Sequence, residues 1–402
     1  MNILFILSLQ NSGPGIASTR VEYNADYLRR MGNSVTVSCI FDPTRGGKPG
    51  SRYWNGIKII NYVPLILNLT PLTLVFNLFS LFFTSWIPYV IAKPDIVIIS
   101  VPPGEASLGA FILAKLVRTK RIFFDYRDEW EDYAISNSQA KVFTFMYKIL
   151  KTIMTKCYKK SNLVITVTES VSNKLSLRGV TNNRVISNGA NTKIFKPNIK
   201  NKNSIRKKVG LDTKDFVLIH SGLLGEYYKI EVIVHAMKIL LPKIPTLKLI
   251  LIGGGSDIDN IMNLAENLGI SENVKYLGKK NNRSDVADIV SASDVGVIPY
   301  HENHVFLNNA MPVKALEYLS CGIPILATTY RTSLLGRFIE ENQIGLISPP
   351  ENVQMLSENI YTVFWDRHFV TNASTRGISL IKERFDSEKL ANELMNLVTE
   401  KR

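Results

Sequence analysis

Short, uninterrupted apolar runs alternate with amphipathic segments along this chain, and this alternation constrains its fold more than any other feature. The first apolar run, residues 3–7, is followed by a loop of small residues and an amphipathic segment at 20–31. A second apolar run follows at 35–40. Buried parallel strands have such continuous apolar runs, and a strand–helix–strand order connects parallel neighbours. The amino-terminal part therefore predicts an α/β unit built on a parallel sheet.

The same order begins again after a polar, lysine-rich stretch at 198–208, which we interpret as a linker. With 402 residues, the chain suits two domains of about 200 residues each. We predict two doubly wound domains, at 1–197 and 198–370, and carboxyl-terminal helices at 371–402 that return to the first domain. Further strands are predicted at 95–100, 121–125, 163–168, 216–220, 247–252, 274–277, 295–299 and 323–327. Helices are predicted at 230–241, 258–268, 285–292 and 312–319, and helical structure through 351–402.

One segment departs from this pattern. Residues 61–92 contain no charged side chain and are mostly apolar. A membrane span needs about 20 apolar residues, but three prolines and several hydroxyl side chains interrupt this segment. An interfacial or re-entrant helix is favoured over a span, and a buried core helix is the third alternative. Trp86 and Tyr89 resemble the aromatic anchors found at membrane interfaces.

The net charge of +14 favours an anionic partner, although a solvated basic surface explains it equally well. No zinc finger, basic zipper arm or RNA-recognition signature accompanies the lysines, so we expect no nucleic-acid partner. Three widely spaced cysteines indicate neither a disulfide framework nor a metal site. Because a strand pattern begins at Ile3 and no signal-peptide pattern is present, we expect a cytoplasmic protein.

The strongest chemical signal lies at 309–324, which has the pattern of a loop, a helix opened by Pro312, a glycine stop and a strand. The free amides at a helix start, together with the helix dipole, form an anion site suited to a diphosphate. Lys314 adds a positive charge, and Glu317 can accept hydrogen bonds from ribose hydroxyls. The alternative is an ordinary helix start with both side chains in solvent. The amides concerned are those of Ala310, Met311 and Val313.

These residues resemble the donor-site signature of glycosyltransferase family four, and in particular its bacterial polysaccharide subgroup for O-antigen and capsule synthesis. Proline, lysine, Glu-Tyr, leucine, glycine and Ile-Pro-Ile follow one another at the spacing of that signature. Other motifs that match in the family's order lie at 12–15, 101–103, 125–130, 186–197, 221–225 and 345–350. The resemblance covers nearly the whole chain.

The chain also departs from that family's pattern. Asn309 stands where the first of two glutamates, seven residues apart, is usual, and only the second is present as Glu317. Leu223 replaces an arginine, and Asn191 replaces an aspartate. The lysine that usually follows the arginine is best represented by Lys229, at a slightly different spacing.

The resemblance implies a GT-B fold, in which two Rossmann-like doubly wound domains face a cleft and the carboxyl terminus is helical. It implies a retaining, metal-independent hexosyltransferase with no cofactor. The donor is expected to be a UDP-linked hexosamine or deoxyhexosamine, with GDP-mannose as an alternative. The acceptor is expected to be a polyprenyl-diphosphate-linked glycan, handled by a protein bound peripherally to the anionic inner face of the membrane.

Residue roles follow from the same resemblance. Arg127 and Asp128 follow a strand end, where open parallel sheets bind ligands, and are expected to contact the transferred sugar or the acceptor. The alternative is an ion pair that supports the loop. The expected catalytic residues are Arg127, Asp128, Lys229 and Glu317. The expected donor-binding residues are Gly13, Gly15, Gly222, Lys229, Leu277, Asn309, Ala310, Met311, Pro312, Val313, Lys314 and Glu317.

Several other features receive less specific interpretations. Asp257 and Asp259 have Asp–x–Asp spacing, but they stand at a predicted helix start, where aspartates cap, so no metal site is expected. The three glycines at 253–255 indicate a turn beside the nucleotide rather than a dinucleotide fingerprint. The histidines, His220 among them, have no metal-ligand spacing. Two alternative functions remain: a nucleotide-sugar 2-epimerase of GT-B fold, and a non-catalytic basic protein that binds membranes or nucleic acid.

Overall fold

The computed structural model describes residues 1–6, 18–45, 47–66, 71–102, 104–138, 141–225, 227–303 and 307–400. The chain divides into two compact units. Unit 1 comprises Met1–Ser187 together with Ser387–Arg402, and unit 2 comprises Asn188–Asp386. The sequence-based boundaries at 197/198 and 370/371 differ from these, because the connecting segments pack within unit 2. Ala190 donates its backbone N–H to the carbonyl of Phe385, and Phe195 is buried in the core of that unit.

Unit 1 is built on one eight-stranded sheet in the order β3-β4-β2-β1-β5-β6-β7-β8. All neighbouring strands are parallel except β3 and β4. The strands are β1 (Asn2–Ile6), β2 (Ser34–Phe41), β3 (Gly50–Trp54), β4 (Ile57–Pro64), β5 (Ile96–Val101), β6 (Arg121–Tyr126), β7 (Leu163–Thr166) and β8 (Asn183–Val185). The helices that accompany them are α1 (Thr19–Arg30), α2 (Pro71–Thr84), α3 (Ile87–Ala92), α4 (Gly104–Leu116), α5 (Trp130–Asn137), α6 (Lys141–Lys159) and α7 (Glu169–Leu177).

Unit 2 is built on a six-stranded, all-parallel sheet in the order β11-β10-β9-β12-β13-β14. Apolar side chains cover both faces of this sheet, which explains the continuous apolar runs in the sequence. The strands are β9 (Phe216–Leu223), β10 (Leu247–Gly254), β11 (Val274–Tyr276), β12 (Val295–Pro299), β13 (Ile325–Thr328) and β14 (Gly345–Ser348). The helices are α8 (Lys202–Lys208), α9 (Ile230–Leu240), α10 (Ile258–Asn267), α11 (Arg283–Ala292), α12 (Val313–Ser320) and α13 (Leu334–Asn342).

The carboxyl-terminal part is helical, as the sequence predicted, but it is interrupted twice. Asp366 caps the start of the second helix by accepting a hydrogen bond from the amide of Phe369, and a single π-helical turn, Ile381–Phe385, precedes the last helix. The helices are α14 (Val353–Trp365), α15 (Arg367–Leu380) and α16 (Ser387–Thr399). The last of them packs against α1, so it belongs to unit 1, whereas α14 and α15 belong to unit 2.

The sequence analysis missed the hairpin of β3 and β4, and this hairpin changes the interpretation of the apolar segment 61–92. Strand β4 extends to Pro64, so the first four residues of that segment lie in the sheet. Asn55 and Gly56 form its two-residue turn, both with positive φ, as Asn-Gly turns require. The rest of the segment forms α2 and α3. No helix within the described ranges is both long and apolar enough to cross a membrane.

Candidate active site

Helix α12 is fixed to the end of the unit 2 sheet by Tyr318. The Tyr318 hydroxyl accepts a hydrogen bond from the backbone N–H of Ser221 at 2.8 Å, on strand β9. Its ring lies against strand β12 at Gly296, where a Cβ atom would approach ring carbon Cδ2 to 2.1 Å. Only glycine allows that approach. The consequence is that α12 presents its first turns at the carboxyl ends of β9 and β12, where parallel α/β sheets bind ligands.

Lys314, in the first turn of α12, points into this end of the sheet. Its ammonium nitrogen lies 3.0 Å from Nε2 of His220 and 3.7 Å from the centroid of the Tyr228 ring. The side chain is buried rather than solvated, so the alternative of a solvent-facing lysine does not hold. Burial lowers the pKa of Lys314 to about 7, while the charge of Glu317 acts to raise it. A buried cation that already has little water around it interacts strongly with any anion that reaches it.

Glu317, one turn further along α12, is also buried, and it is ion-paired with Arg283 at the start of α11. Burial raises the pKa of the Glu317 carboxyl, whereas Arg283 and Lys314 act to lower it. The Arg283 guanidinium also lies over the Phe195 ring, with its central carbon 4.9 Å from the centroid. Sequence reasoning missed Arg283. Only Oε1 of Glu317 is engaged within the described residues, so Oε2 can accept a further hydrogen bond.

The loop before α12 holds the predicted anion-binding amides. Helix α12 begins at Val313. Pro312 is therefore its N-cap residue, whereas the sequence predicted Pro312 as the first residue of the helix. Ala310 and Met311 are partly buried against the core of unit 2. The Met311 carbonyl accepts a hydrogen bond from Nδ2 of Asn188 at 3.5 Å. Asn309 is half-buried, three residues before the N-cap.

Two glycines shape the sheet end opposite Lys314. Gly222 has a φ of +115°, and a Cβ atom there would lie 3.2 Å from the Lys314 ammonium nitrogen. Gly253, its register partner on β10, has a φ of +138°, and a Cβ atom there would collide with the Gly222 carbonyl oxygen. The 253–255 turn therefore adjoins the predicted donor site. Leu277 follows the end of β11 and donates its backbone N–H to Leu251.

Lys229 stands at the N-cap position of α9, and its backbone N–H donates to the carbonyl of Pro299 at the end of β12. Its side chain is about a third exposed, and its ammonium lies 3.9 Å from Glu231. The preceding residue, Tyr228, contacts both His220 and Lys314. Lys229 therefore belongs to the same end of the sheet as Lys314, and it is the more accessible of the two cations.

In unit 1, the polar residues at and after the carboxyl end of β6 divide into paired and accessible groups. Asp125 is buried and accepts a 3.0 Å hydrogen bond from Nε of Arg20. Glu129 is buried and pairs with Lys174 at 2.6 Å. Arg127 donates from Nη1 to the Ser18 hydroxyl at 2.9 Å, and its buried Nε has no hydrogen-bond partner.

Asp128 is exposed, and the structure gives no Arg127–Asp128 ion pair of the kind that the loop-supporting alternative required. Arg127 and Asp128 thus stay candidates for contacts with a ligand. Gly13 and Gly15, the predicted glycine loop, lie outside the described residues.

No group of three or more His, Cys, Asp or Glu side chains that could hold a metal ion occurs within the part of the chain that the structure describes. Asp257 occupies the N-cap position of α10, as predicted, although its side chain makes no capping hydrogen bond there. Its Oδ1 instead accepts from the Ser256 hydroxyl at 2.8 Å.

His235 is exposed, and His301 lies 3.3 Å from Glu351. His220, by contrast, is completely buried.

This chain is similar to proteins of known family and structure. Residues 201–379 match the family described as "Glycosyl transferases group 1". The N-acetyl-alpha-D-glucosaminyl L-malate synthase of Bacillus anthracis is 23% identical over 189 residues, which cover 47% of this chain and 46% of that protein. A glycosyltransferase of Haemophilus influenzae, described as uncharacterized, is 22% identical over 390 residues and 97% of both chains. The structure of Anabaena HepE with UDP and glucose has a TM-score of 0.71 at 16% identity, covering 100% of each chain. The fold predicted from the sequence, two parallel-sheet α/β units of GT-B type with a helical carboxyl terminus, is confirmed.

Proposed function

We propose that this chain, which has a GT-B fold, is a group 1 glycosyl transferase and transfers a sugar from a UDP-sugar to a lipid-linked glycan. In this proposal it is a retaining, metal-independent hexosyltransferase of cell-surface polysaccharide synthesis. The donor sugar is a hexosamine or a deoxyhexosamine, and the acceptor is carried on a polyprenyl diphosphate. The observation that carries the proposal is the buried cation of Lys314 beside the start of α12, one turn from the paired carboxylate of Glu317.

The chemistry of sugar transfer explains why such a cation is needed. When the bond between the anomeric carbon and the diphosphate breaks, negative charge accumulates on the departing UDP. Fixed positive groups in a water-poor site stabilise that charge without having to reorganise. Lys314, Lys229 and the amides of Ala310, Met311 and Val313 are the groups that we assign to this role. No side chain is assigned as a nucleophile.

The remaining donor contacts follow from position. Oε2 of Glu317 accepts from the ribose hydroxyls, and Arg283 orients the carboxylate through Oε1. Leu277 and the 253–255 turn lie at the ends of β11 and β10 and border the base. Asn309 contacts the hydroxyls of the donor sugar. The Anabaena structure described above contains UDP and glucose, which supports a UDP-linked donor.

The orientation of helix α2 supports an acceptor held at a lipid surface. Its polar residues face inward: Asn77 hydrogen-bonds both the N–H and the carbonyl of Ile66 at 2.8 Å, and Ser80 donates to Pro64 at 2.7 Å. Phe76, Phe79 and Phe83 face outward, with Phe79 66% exposed. Leu81 packs in a small apolar cluster of unit 1, while the exposed aromatic side chains on the outer side suit the interfacial region of a bilayer. The exposed aromatic side chains of α2 and the following turn are Phe76, Phe79, Phe83 and Trp86.

Helix α6 has the same character. Its exposed apolar residues recur at intervals of three and four and so share one face, while Tyr147 and Met154 are buried on the other. Exposed lysines flank this apolar stripe, as on basic amphipathic helices that bind anionic membranes. The exposed apolar residues are Val142, Phe145, Met146, Ile149 and Ile153. The flanking lysines are Lys141, Lys148, Lys156 and Lys159.

The test is binding and transfer across a panel of UDP-, GDP- and dTDP-sugars in the presence of EDTA, with polyprenyl-diphosphate-linked glycans as acceptors. We expect one UDP-sugar to bind selectively and its sugar to reach the lipid with retained anomeric configuration, read from the product's anomeric proton coupling. Glu317→Gln should weaken donor binding, and Glu358→Gln, an exposed glutamate of α14, should not. Release of free 2-epimerised sugar would favour the epimerase instead. A folded protein that binds no nucleotide sugar would overturn the proposal.

A further inference from the structure

His220 is a buried histidine whose every polar contact lies at the predicted donor site. It lies on strand β9, three residues before the carboxyl end, and its side chain is completely buried. Nδ1 lies 2.9 Å from the carbonyl oxygen of Val297 on β12. Nε2 lies 3.0 Å from the Lys314 ammonium nitrogen and 3.2 Å from the carbonyl oxygen of Leu223. The sequence alone gave no role to this histidine.

These contacts select one proton arrangement. Each ring nitrogen lies near a carbonyl oxygen, which can only accept, but the charged Lys314 ammonium can only donate, so Nε2 must accept and the proton of a neutral ring lies on Nδ1, facing Val297. With that proton placed, Nε2 of a neutral ring has a lone pair directed at Lys314, which can only donate while it is charged. Burial and the charge of Lys314 hold the pKa of His220 well below its ordinary value, which is consistent with a neutral ring. When the pair of His220 and Lys314 is charged, its single positive charge therefore resides on the lysine.

The surroundings of Lys314 give its ammonium group no direct ion pair, although the charge of Glu317 acts on it from a greater distance. In the described ranges, no carboxylate lies within ion-pair distance of its ammonium group. Tyr228 offers the face of its ring, and His220 offers a neutral nitrogen. Glu317, on the same helix, is engaged by Arg283. A buried ammonium whose direct contacts are neutral groups should bind an anion favourably.

We propose that His220 is a positioning residue that holds the Lys314 ammonium group through Nε2, and that this pair takes up a proton when a nucleotide diphosphate binds beside it. The inference rests on the proposed function, because the diphosphate supplies the missing negative charge. A bound diphosphate stabilises the charged form of Lys314, so lysines that were neutral in the free protein become protonated. No bond is made or broken in this step: one proton moves from solvent to Nζ of Lys314.

The coupling has a definite size. With a pKa of about 7 in the free protein, half of the Lys314 side chains are neutral at pH 7. Binding should then take up about half a proton at pH 7 and about nine-tenths of a proton at pH 8. The association constant should fall about fivefold from pH 7 to pH 8, and about tenfold for each further unit. UDP-glucose is the appropriate probe, since its esterified diphosphate does not titrate in this range.

The first experiment needs no ligand. Nitrogen NMR of the full chain should show the His220 ring neutral at pH 7 with its proton on Nδ1. Carbon NMR of labelled lysine side chains should show one resonance that titrates near pH 7 and is lost in Lys314→Met. His220→Leu removes the acceptor and should move that midpoint lower, whereas His220→Gln, whose amide oxygen can accept, should restore it. Exposed His235→Gln is the matched control and should change neither signal. A Lys314 midpoint near that of free lysine, or a proton on Nε2 of His220, would overturn the proposal.

The second experiment is calorimetry of UDP-glucose binding in buffers of different ionisation enthalpy at pH 6, 7 and 8, from which proton uptake is read. We expect uptake to rise with pH and to vanish in Lys314→Met. His220→Leu should weaken binding at pH 7 by about fivefold, with recovery in His220→Gln and no change in His235→Gln. Binding without proton uptake would overturn the coupling and leave the proposed function intact. Absence of binding by UDP-glucose and by every other nucleotide sugar would instead overturn the proposed function, and the coupling with it.

Discussion

The carboxylate of Glu317 and the guanidinium of Arg283 form an ion pair across two helices of unit 2, with Glu317 almost fully buried and Arg283 about a third exposed. The two residues are 34 positions apart in the chain. Burial disfavours the Glu317 charge, so the carboxylate is held at the start of α12 by its partner rather than by water. Two predictions follow from this dependence.

Replacing Arg283 with methionine should reduce the free energy of unfolding by about 2–3 kcal/mol at pH 7, because a buried carboxylate loses its charged partner. The partial exposure of Arg283 keeps the loss below that of a wholly buried pair. Urea unfolding measures it. The double variant Arg283→Met/Glu317→Gln should be more stable than Arg283→Met, because no charge is then left unpaired. Equal stability of the single and double variants would mean that Arg283 does not stabilise the buried carboxylate of Glu317.

The same variant should depend on pH in a definite direction. Burial raises the pKa of Glu317 in the folded protein above its unfolded value, and loss of Arg283 should raise it further. A carboxyl with a raised folded pKa favours folding at low pH, and this contribution is lost as the pH rises through the folded pKa. The deficit of Arg283→Met relative to the original protein should therefore be smaller at pH 5 than at pH 7. Urea unfolding at both pH values measures this difference. A loss of unfolding free energy that is larger at pH 5 than at pH 7 would contradict a raised pKa for Glu317.

Gly222→Ala should disturb the donor site from the sheet side. Alanine is strained at a φ of +115°, and its methyl group would meet the Lys314 ammonium nitrogen at 3.2 Å. We expect a loss of about 1–2 kcal/mol in unfolding free energy and weaker binding of the nucleotide sugar. Gly254, nearby on β10, has open space around its Cβ position and no positive φ, so Gly254→Ala is the matched control and should change stability by less than about 0.5 kcal/mol.

The sequence predicted the framework of this site better than its contacts. The strands of unit 2 were predictable because continuous apolar runs of this kind occur in strands buried on both faces. The α12 region was predictable because proline, lysine, glutamate and glycine fall close together in the chain. The Asn55–Gly56 turn could have revealed the missed hairpin, since this dipeptide is a strong hairpin signal.

Arg283 and His220 were not predictable in their roles. Arg283 is 34 positions from Glu317 in the chain, and His220 is 94 positions from Lys314. Tertiary packing brings each pair together, and no local sequence pattern indicates either contact. The expectation that Tyr89 is an interfacial anchor was wrong for a related reason. Composition showed that 61–92 is apolar, but not that Tyr89 would be buried, with its hydroxyl donating to the Ala110 carbonyl, while Trp86 stays exposed.

The two aspartates at the carboxyl end of β6, Asp125 within the strand and Asp128 just after it, should respond differently to the same change. Asp125→Asn removes the counterion of Arg20, which is buried, and should lower the unfolding free energy by about 3 kcal/mol. Asp128→Asn changes an exposed residue and should alter stability by less than about 0.5 kcal/mol. If Asp128 contacts the transferred sugar or the acceptor, its kcat should nevertheless fall at least tenfold. Thermal unfolding and transfer assays on both variants distinguish a role in stability from a role in sugar transfer. An unchanged transfer rate in Asp128→Asn would show that Asp128 is not a catalytic residue.

The exposed aromatic face of α2 should act as a membrane anchor. Burying each phenylalanine in the interfacial region is worth about 1–2 kcal/mol, so Phe76, Phe79 and Phe83 together contribute enough to dominate binding. Replacing all three with serine should reduce sedimentation with vesicles containing anionic phospholipid at least tenfold, without reducing stability, because these side chains are exposed in the folded unit.

The control for this prediction is Leu177→Ser, which removes an even more exposed apolar side chain, on α7 of the same unit, and should leave vesicle binding unchanged. The lysines of α6 provide an independent check. Replacing Lys148 and Lys156 with glutamine should remove about 1 kcal/mol for each lysine near an anionic surface, with the difference shrinking as salt is added. Neutral vesicles should distinguish the two contributions, because the aromatic effect should persist there and the lysine effect should not. If the serine variant bound anionic vesicles as well as the original protein, α2 would not be the anchor.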